Sequence, residues 1–283
     1  MKVAGPYNFD FVLSRLALDP LHEVNIADRS VKVPLLIEKI PYVVTIKATG
    51  TTEQSAFEVD GINGKKEAML LQEITRIFQW DKSLLSIHDH FQSTDLKELF
   101  ETHYGTPIVL DFSPYNCLVK CIIHQQLNLK FAYTLTQRFV TTYGFEKEGV
   151  WFYPQPETVA ELTVEELREL QFSTRKAEYV INLSKQIADG NLHLEHLEQK
   201  TDEEIMAELL PLRGIGPWTV QNFLLFGLGR DNLFPIADIG IQNALKNLLQ
   251  LEKKPTKEQM EELIIHWHPY LSYASLYLWR SIE

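Results

Sequence analysis

The most restrictive stretch of this chain is the run PLRGIGPW, Pro211 to Trp218, because it forces a sharp corner between two helices. Upstream, Thr201 and Glu204 match a capping box, in which a hydroxyl and a later carboxylate satisfy the free amides of a first turn. A helix is expected from there to about Leu210. Pro217 suits the first position of the next helix, where its missing amide proton costs nothing. Gly214 and Gly216 permit positive φ and close backbone approach, so amides from Gly214, Ile215, Gly216 and Thr219 can converge on an anion such as a phosphate. The carbonyls of Leu210, Leu212 and Ile215 form a candidate site for a monovalent cation, sodium or potassium, bridging to that phosphate. A bare GxG equally fits an ordinary helix-turn-helix corner with glycine caps.

The rest of the chain divides near residue 110. Runs such as VKVPLLIEKI and YVVTIKAT, between Val31 and Thr49, are rich in β-branched residues and predict strands, with Pro34 and Pro41 at strand ends or edges. A further strand is expected over Ser55 to Val59, followed by a turn at GINGK. Apolar residues from Ala68 to Phe78 then take helical spacing. After Gly105 the spacing is helical almost throughout, and two more capping boxes, Thr163 with Glu166 and Thr256 with Gln259, mark helix starts. The expected architecture is an α+β N-terminal domain, residues 1–110, with a small antiparallel sheet, followed by a mostly α-helical domain, residues 111–283.

Cys117 and Cys121, the only two cysteines, stand one helical turn apart and do not form a disulfide framework, which fits a reducing compartment. No signal core opens the chain and the longest greasy runs are too short to cross a bilayer, so a cytoplasmic protein with no membrane partner is expected. The net charge of −11 argues against a sequence-blind polyanion binder of the histone kind. Its distribution is uneven, however. Phe112 to Phe145 carries no acid against Lys120, Lys130 and Arg138, while seven carboxylates lie between Glu146 and Glu169 and six between Glu195 and Glu208. A small neutral-to-basic face is therefore expected, with the acids on solvated faces turned away from it.

The string LPLRGIGPWTVQNFLLFGLGRDNLFPIADIGIQ, Leu210 to Gln242, resembles the signature of the helix-hairpin-helix DNA glycosylases, and within them the 3-methyladenine DNA glycosylase II branch. IIHQQLNLKFAYTLTQRFVTTYG (Ile122 to Gly144), KAEYVINLSKQIADGNL (Lys176 to Leu192) and WHPYLSYASLYLW (Trp267 to Trp279) match in character. The similarity covers nearly all of residues 112–283; the N-terminal part is alike in length and strand content, with far less specific motifs.

The resemblance implies a monofunctional enzyme that hydrolyses the N-glycosidic bond of alkylated purines in double-stranded DNA, acting as a monomer. Asp238 would be the catalytic carboxylate. A sugar with oxocarbenium character needs a negative charge and a positioned water nearby, and one carboxylate can serve both needs. An alkylated base is already a cationic leaving group, so a second acid is dispensable. Read alone, Asp238 is the N-cap of a helix running to about Leu249. The two roles are compatible, since a helix N-terminus favours the ionised form.

Trp218 stands where lyase-competent branches carry a nucleophilic lysine, which implies hydrolysis without a Schiff base. It would wall the base pocket through stacking and cation–π contacts, or else be a core residue of an amphipathic helix. Tyr270 and Tyr273 are weaker pocket candidates that equally fit packing. Some relatives carry further aromatics where this chain has Asn222 and Ile239. Gln125, Gln126 and Leu127 lie where the resemblance implies the wedge that fills the gap left by an extruded base, with Leu127 inserted and Gln126 at the opposite base. Taken without the resemblance they are a helix end. No cofactor is required, and an iron-sulfur cluster, which needs four cysteines, is excluded on count. The competing readings are a non-catalytic hairpin module that only docks DNA, an oxidised-purine glycosylase with strand-cleaving activity, and a nucleoside hydrolase, whose small substrate leaves the hairpin without purpose.

Overall fold

The computed structural model describes residues 1–62 and 64–282; Asn63, inside the turn expected at GINGK, and Glu283 lie outside the described residues. Four antiparallel strands, β1 (Glu23–Asn25), β2 (Ser30–Ile37), β3 (Ile40–Ala48) and β4 (Phe57–Asp60), form a meander in sequence order. Alternation in β2 sends Val31, Val33, Leu35 and Ile37 inward, against the helices Phe9–Leu16 and Glu67–Phe78. Pro34 pairs with Val43 in the half of β2 that β1 does not reach, so its lack of an N–H leaves no ladder bond unmade. Pro41 is the second residue of β3. The β2–β3 turn is Glu38–Lys39, both at positive φ (52° and 65°), without the asparagine or glycine that usually announces such a turn.

The remaining described chain is helical apart from one hairpin, β5 (Phe145–Lys147) and β6 (Val150–Phe152), which the helical reading of this region missed. Its turn uses Glu148 and Gly149 at positive φ, and Val150 and Phe152 pack on Val43 of β3. All three expected capping boxes form, at Thr163, Thr201 and Thr256, each with both reciprocal hydrogen bonds.

Packing does not follow a single cut near residue 110. One buried cluster joins the sheet and N-terminal helices to Leu225, Phe234, the helix Ile239–Leu248 and the last helix, Leu271–Arg280. The other is built from the middle of the chain, Tyr115 to Leu224, with Leu21. The N-terminal sheet thus shares its core with the last helices, and residues between them in sequence form a separate body. The seam between the two clusters is where Trp218, Asp238 and Leu127 gather.

Candidate active site

A cavity of about 420 Å³ opens at that seam. Leu16, Leu110, Phe112 and Leu276 reach it from the first cluster and Cys121 from the second. This size falls in the range of sites that bury a small molecule.

Asp238 lines one side of the cavity. As N-cap of the helix Ile239–Leu248 it accepts the Ile241 amide on Oδ1 at 3.0 Å. Two indoles converge on the same carboxylate: Trp279 Nε1 donates to Oδ1 at 2.9 Å and Trp218 Nε1 to Oδ2 at 3.2 Å. Three donors fix the orientation of the group. Oδ2 keeps lone pairs free beyond its single indole contact.

Trp218 lines the cavity as expected, but its N–H also steers the carboxylate. Its helix opens with Pro217 at the first position and ends early, at Asn222, passing into a π turn over Phe223–Gly227. There the Leu228 amide reaches Phe223 O, and Phe226 O accepts the Asp111 amide at 2.8 Å. Asn222, on the cavity wall, donates to Trp218 O at 2.8 Å. Ile239, beside Asp238, is 64% exposed and does not line the cavity.

The last helix presents Leu276, Trp279 and Arg280 to the cavity, a face set by spacings of three and four. Tyr270 and Tyr273 do not line it. Tyr273, one turn before Leu276 and Tyr277 in the same helix, is wholly buried, and Tyr270 packs edge-on against His90. The aromatic that sequence reasoning passed over is Trp279, whose signal was its spacing from Leu276 along an otherwise buried helix.

The residues expected to act as a wedge separate in role. Leu127 lines the cavity. Gln126 is exposed at φ +56°, a left-handed conformation that lifts it out of the bend. Gln125 instead braces the hairpin: its Nε2 donates to Gly214 O at 2.8 Å and to Thr219 Oγ1 at 2.9 Å. Lys176 Nζ closes the same bend by donating to the carbonyls of Ile123 and Gln125, both at 2.6 Å.

In the hairpin, Gly214 stands at φ +93°, and a Cβ there would lie 2.1 Å from the Tyr179 ring, so glycine is required twice over. Gly216 differs from the expectation. Its φ of −107° is ordinary and its missing Cβ faces open space, as the uncapped residue before Pro217. Thr219 is buried with its hydroxyl engaged by Gln125, so its side chain is not offered to an anion. Ile215 is buried and its amide bonds Leu212 O at 3.0 Å, leaving that carbonyl one lone pair. Leu210, 36% exposed, ends the first hairpin helix as its C-cap.

The expected basic face needs correction at Lys120. This residue lies in the cavity wall, ion-paired to Asp111, the acid just before the acid-free stretch. Burial opposes its charge, but the Asp111 carboxylate outweighs that and holds the ammonium protonated. Arg213, 65% exposed, pairs with Glu178 at 2.9 Å. On the same wall as Lys120, His22 stays neutral through burial, its Nδ1 giving its proton to Leu16 O and its ring resting on Phe112.

Known proteins place this geometry in a family. Residues 119–269 match the HhH-GPD superfamily of base excision DNA repair proteins. Over its full length the chain is 56% identical to a putative DNA-3-methyladenine glycosylase of Bacillus subtilis, covering 98% of it. A 3-methyladenine DNA glycosylase from Archaeoglobus fulgidus superposes with a TM-score of 0.86 over 99% of this chain and 96% of that one, at 21% identity. The Schizosaccharomyces pombe 3-methyladenine DNA glycosylase in complex with abasic DNA superposes with a TM-score of 0.62, covering 69% of this chain and 96% of that one, at 28% identity. The hairpin, the π turn and the capped aspartate all lie within the matched residues, and the chain belongs to the HhH-GPD superfamily of base excision DNA repair proteins.

Proposed function

We propose that this protein is a monofunctional DNA glycosylase that hydrolyses the bond between deoxyribose and alkylated purines of the 3-methyladenine and 7-methylguanine type in double-stranded DNA. The observation that carries the reading is Asp238, a carboxylate on the wall of a base-sized cavity, oriented by Trp218, Trp279 and the Ile241 amide. The extruded nucleotide enters the cavity, and the Asp238 charge lies against the sugar as the bond to the base stretches. Oδ2 can also accept a proton from the water that completes hydrolysis. This chemistry calls for no cofactor.

The tryptophan at position 218 supports hydrolysis over strand cleavage, because the position offers no amine. Lys120 is the lysine on the cavity wall, and Asp111 keeps it protonated and hence non-nucleophilic. Gly216, open to solvent before Pro217, supports a phosphate contact at the hairpin, with Leu127 and Gln126 as the residues that enter the duplex. A monovalent cation at the hairpin would use the carbonyls of Leu210 and Ile215 and the spare lone pair of Leu212.

The test is release of free purines from methylated duplex DNA by the wild type and by Asp238→Asn. We expect release by the wild type and a loss of several hundredfold or more in the variant, comparable to removing the main charge stabiliser of a transition state. Release by both proteins, or by neither, sinks the assignment. Borohydride trapping of a covalent DNA adduct would replace the hydrolytic reading with a lyase.

A further inference from the structure

One helix, Thr174–Ala188, touches both the hairpin and the bend that carries Gln126 and Leu127, and its first turn holds a lysine where local chemistry disfavours one. Ser173 caps this helix by accepting the Lys176 amide, which sets Lys176 at the third position, against the positive end of the helix dipole. Among the described residues no carboxylate pairs with its ammonium, and burial brings the group down to about 8. The charge serves something other than its own helix.

What it serves is the end of the helix Pro114–His124. That helix stops without a glycine, at an extended Gln125 (φ −49°, ψ 127°), so its last carbonyls have no intrahelical amides. Lys176 Nζ donates to two carbonyls there, Ile123 O and Gln125 O. From the residue so fixed, the Gln125 side chain runs to Gly214 O and Thr219 Oγ1 in the hairpin. Gln126 and Leu127 follow directly, with the Leu127 amide donating to His124 O at 3.2 Å. The lysine's helix also holds the hairpin. Its Tyr179 ring occupies the space that a Cβ on Gly214 would need, and Glu178 pairs with Arg213, whose guanidinium lies 5.9 Å from the centre of the Tyr179 ring. Three residues within one turn, Lys176, Glu178 and Tyr179, thus tie the bend and the hairpin to one support.

We infer that Lys176 is a positioning residue for base extrusion: with Gln125 it locks the wedge bend to the hairpin, so that a phosphate seated in the hairpin fixes where Leu127 enters the duplex. A bend ordered before it meets DNA gives up little further freedom on entry. Without the lock, the hairpin still grips the backbone, but the bend swings independently and extrusion slows while the chemistry at Asp238 is untouched. The inference rests on Gln126 and Leu127 being the residues that enter the duplex.

Two measurements on the full chain test it. Lys176→Met keeps an unbranched stem and removes both donors, whereas Lys176→Arg keeps a cation that can reach the same carbonyls. The first measurement needs no base release: a duplex carrying a tetrahydrofuran abasic analogue opposite 2-aminopurine changes fluorescence as residues enter the gap. Lys176→Met is expected to weaken this response by at least about tenfold in protein concentration, the scale of a lost hydrogen bond to a charged group, and Lys176→Arg to restore most of it. The second compares release of 7-methylguanine paired with cytosine against release of the same base facing the abasic analogue, where extrusion breaks no pair. Lys176→Met is expected to slow the first by about tenfold and the second distinctly less. An equal loss on both substrates, an unchanged fluorescence response or no recovery with arginine overturns the inference. If Lys176→Met does not fold, Gln125→Leu, which cuts the bend from the hairpin at its other tie, carries the same expectations. A fluorescence response that depends on Lys176, without purine release by wild type, would count against the glycosylase reading alone. Purine release that is indifferent to Lys176 would count against this inference alone.

Discussion

Replacing Trp279 by phenylalanine tests how much of the site's competence lies in the orientation of Asp238. The indole N–H makes the shortest of three hydrogen bonds to that carboxylate, 2.9 Å against 3.0 Å from the Ile241 amide and 3.2 Å from Trp218. Phenylalanine keeps a ring near Phe226, 5.9 Å away, and removes the donor. A hydrogen bond to a charged group is worth about 1.5–3 kcal/mol. Asp238 is only half-buried, so water can replace part of that, and the low end applies. About 1.5 kcal/mol in the transition state corresponds to roughly tenfold in rate. Single-turnover release of 3-methyladenine from methylated duplex DNA reads this directly, with thermal unfolding run alongside to separate loss of fold from loss of orientation. A rate within twofold of wild type would show that Ile241 and Trp218 suffice. A faster variant would show that the indole attenuates the carboxylate's charge instead of aiming it. Either result refutes the reasoning.

Two other outcomes follow from the geometry. At the hairpin, Gly214→Ala is expected to cost at least about 2 kcal/mol in denaturant unfolding, because it combines a positive φ with overlap on the Tyr179 ring, whereas Gly216→Ala should cost below about 1 kcal/mol and instead weaken binding to duplex DNA; the opposite order of stabilities would exclude this division of labour. Burial, reinforced by the nearby Lys120 charge, holds His124 down at about 3. Its native value thus lies below the unfolded one near 6.5, so its contribution to stability is complete above that pH and is lost as pH falls towards 3. Between pH 7 and pH 5 this single group should remove about 2 kcal/mol. His124→Gln, which can still bond Thr136, should flatten the acid side of the stability curve by that amount, and an unchanged slope would show that His124 is not the titrating group.

The parts legible in the sequence are those set by local chemistry. Hydroxyl-to-carboxylate spacings located two helix starts and a hydroxyl-to-amide spacing a third, because a capping box closes within four residues. Pro217 marked the second hairpin helix through its fixed φ, and Asp238 was readable as an N-cap from its neighbours. Local signals failed where a side chain's environment comes from elsewhere in the chain. Lys120 looked like surface charge until Asp111 was found beside it in a wall, and Gln125 looked like part of a wedge until the hairpin appeared within its reach. Tyr273 and Trp279 share one helix and one composition, yet the packing of that helix against the sheet core buries the first and hands the second to the cavity.

Taken alone, the sequence determined that a glycine-built corner joins two helices and is followed by an aspartate at the head of a third, since turn geometry and capping depend on adjacent residues. What only the tertiary structure decided is that this aspartate meets two indoles, from Trp218 and from Trp279, at the seam of two separately packed bodies. Those partners lie 20 and 41 residues away, brought there by burial of apolar faces, a force with no direction along the chain and hence no local signature.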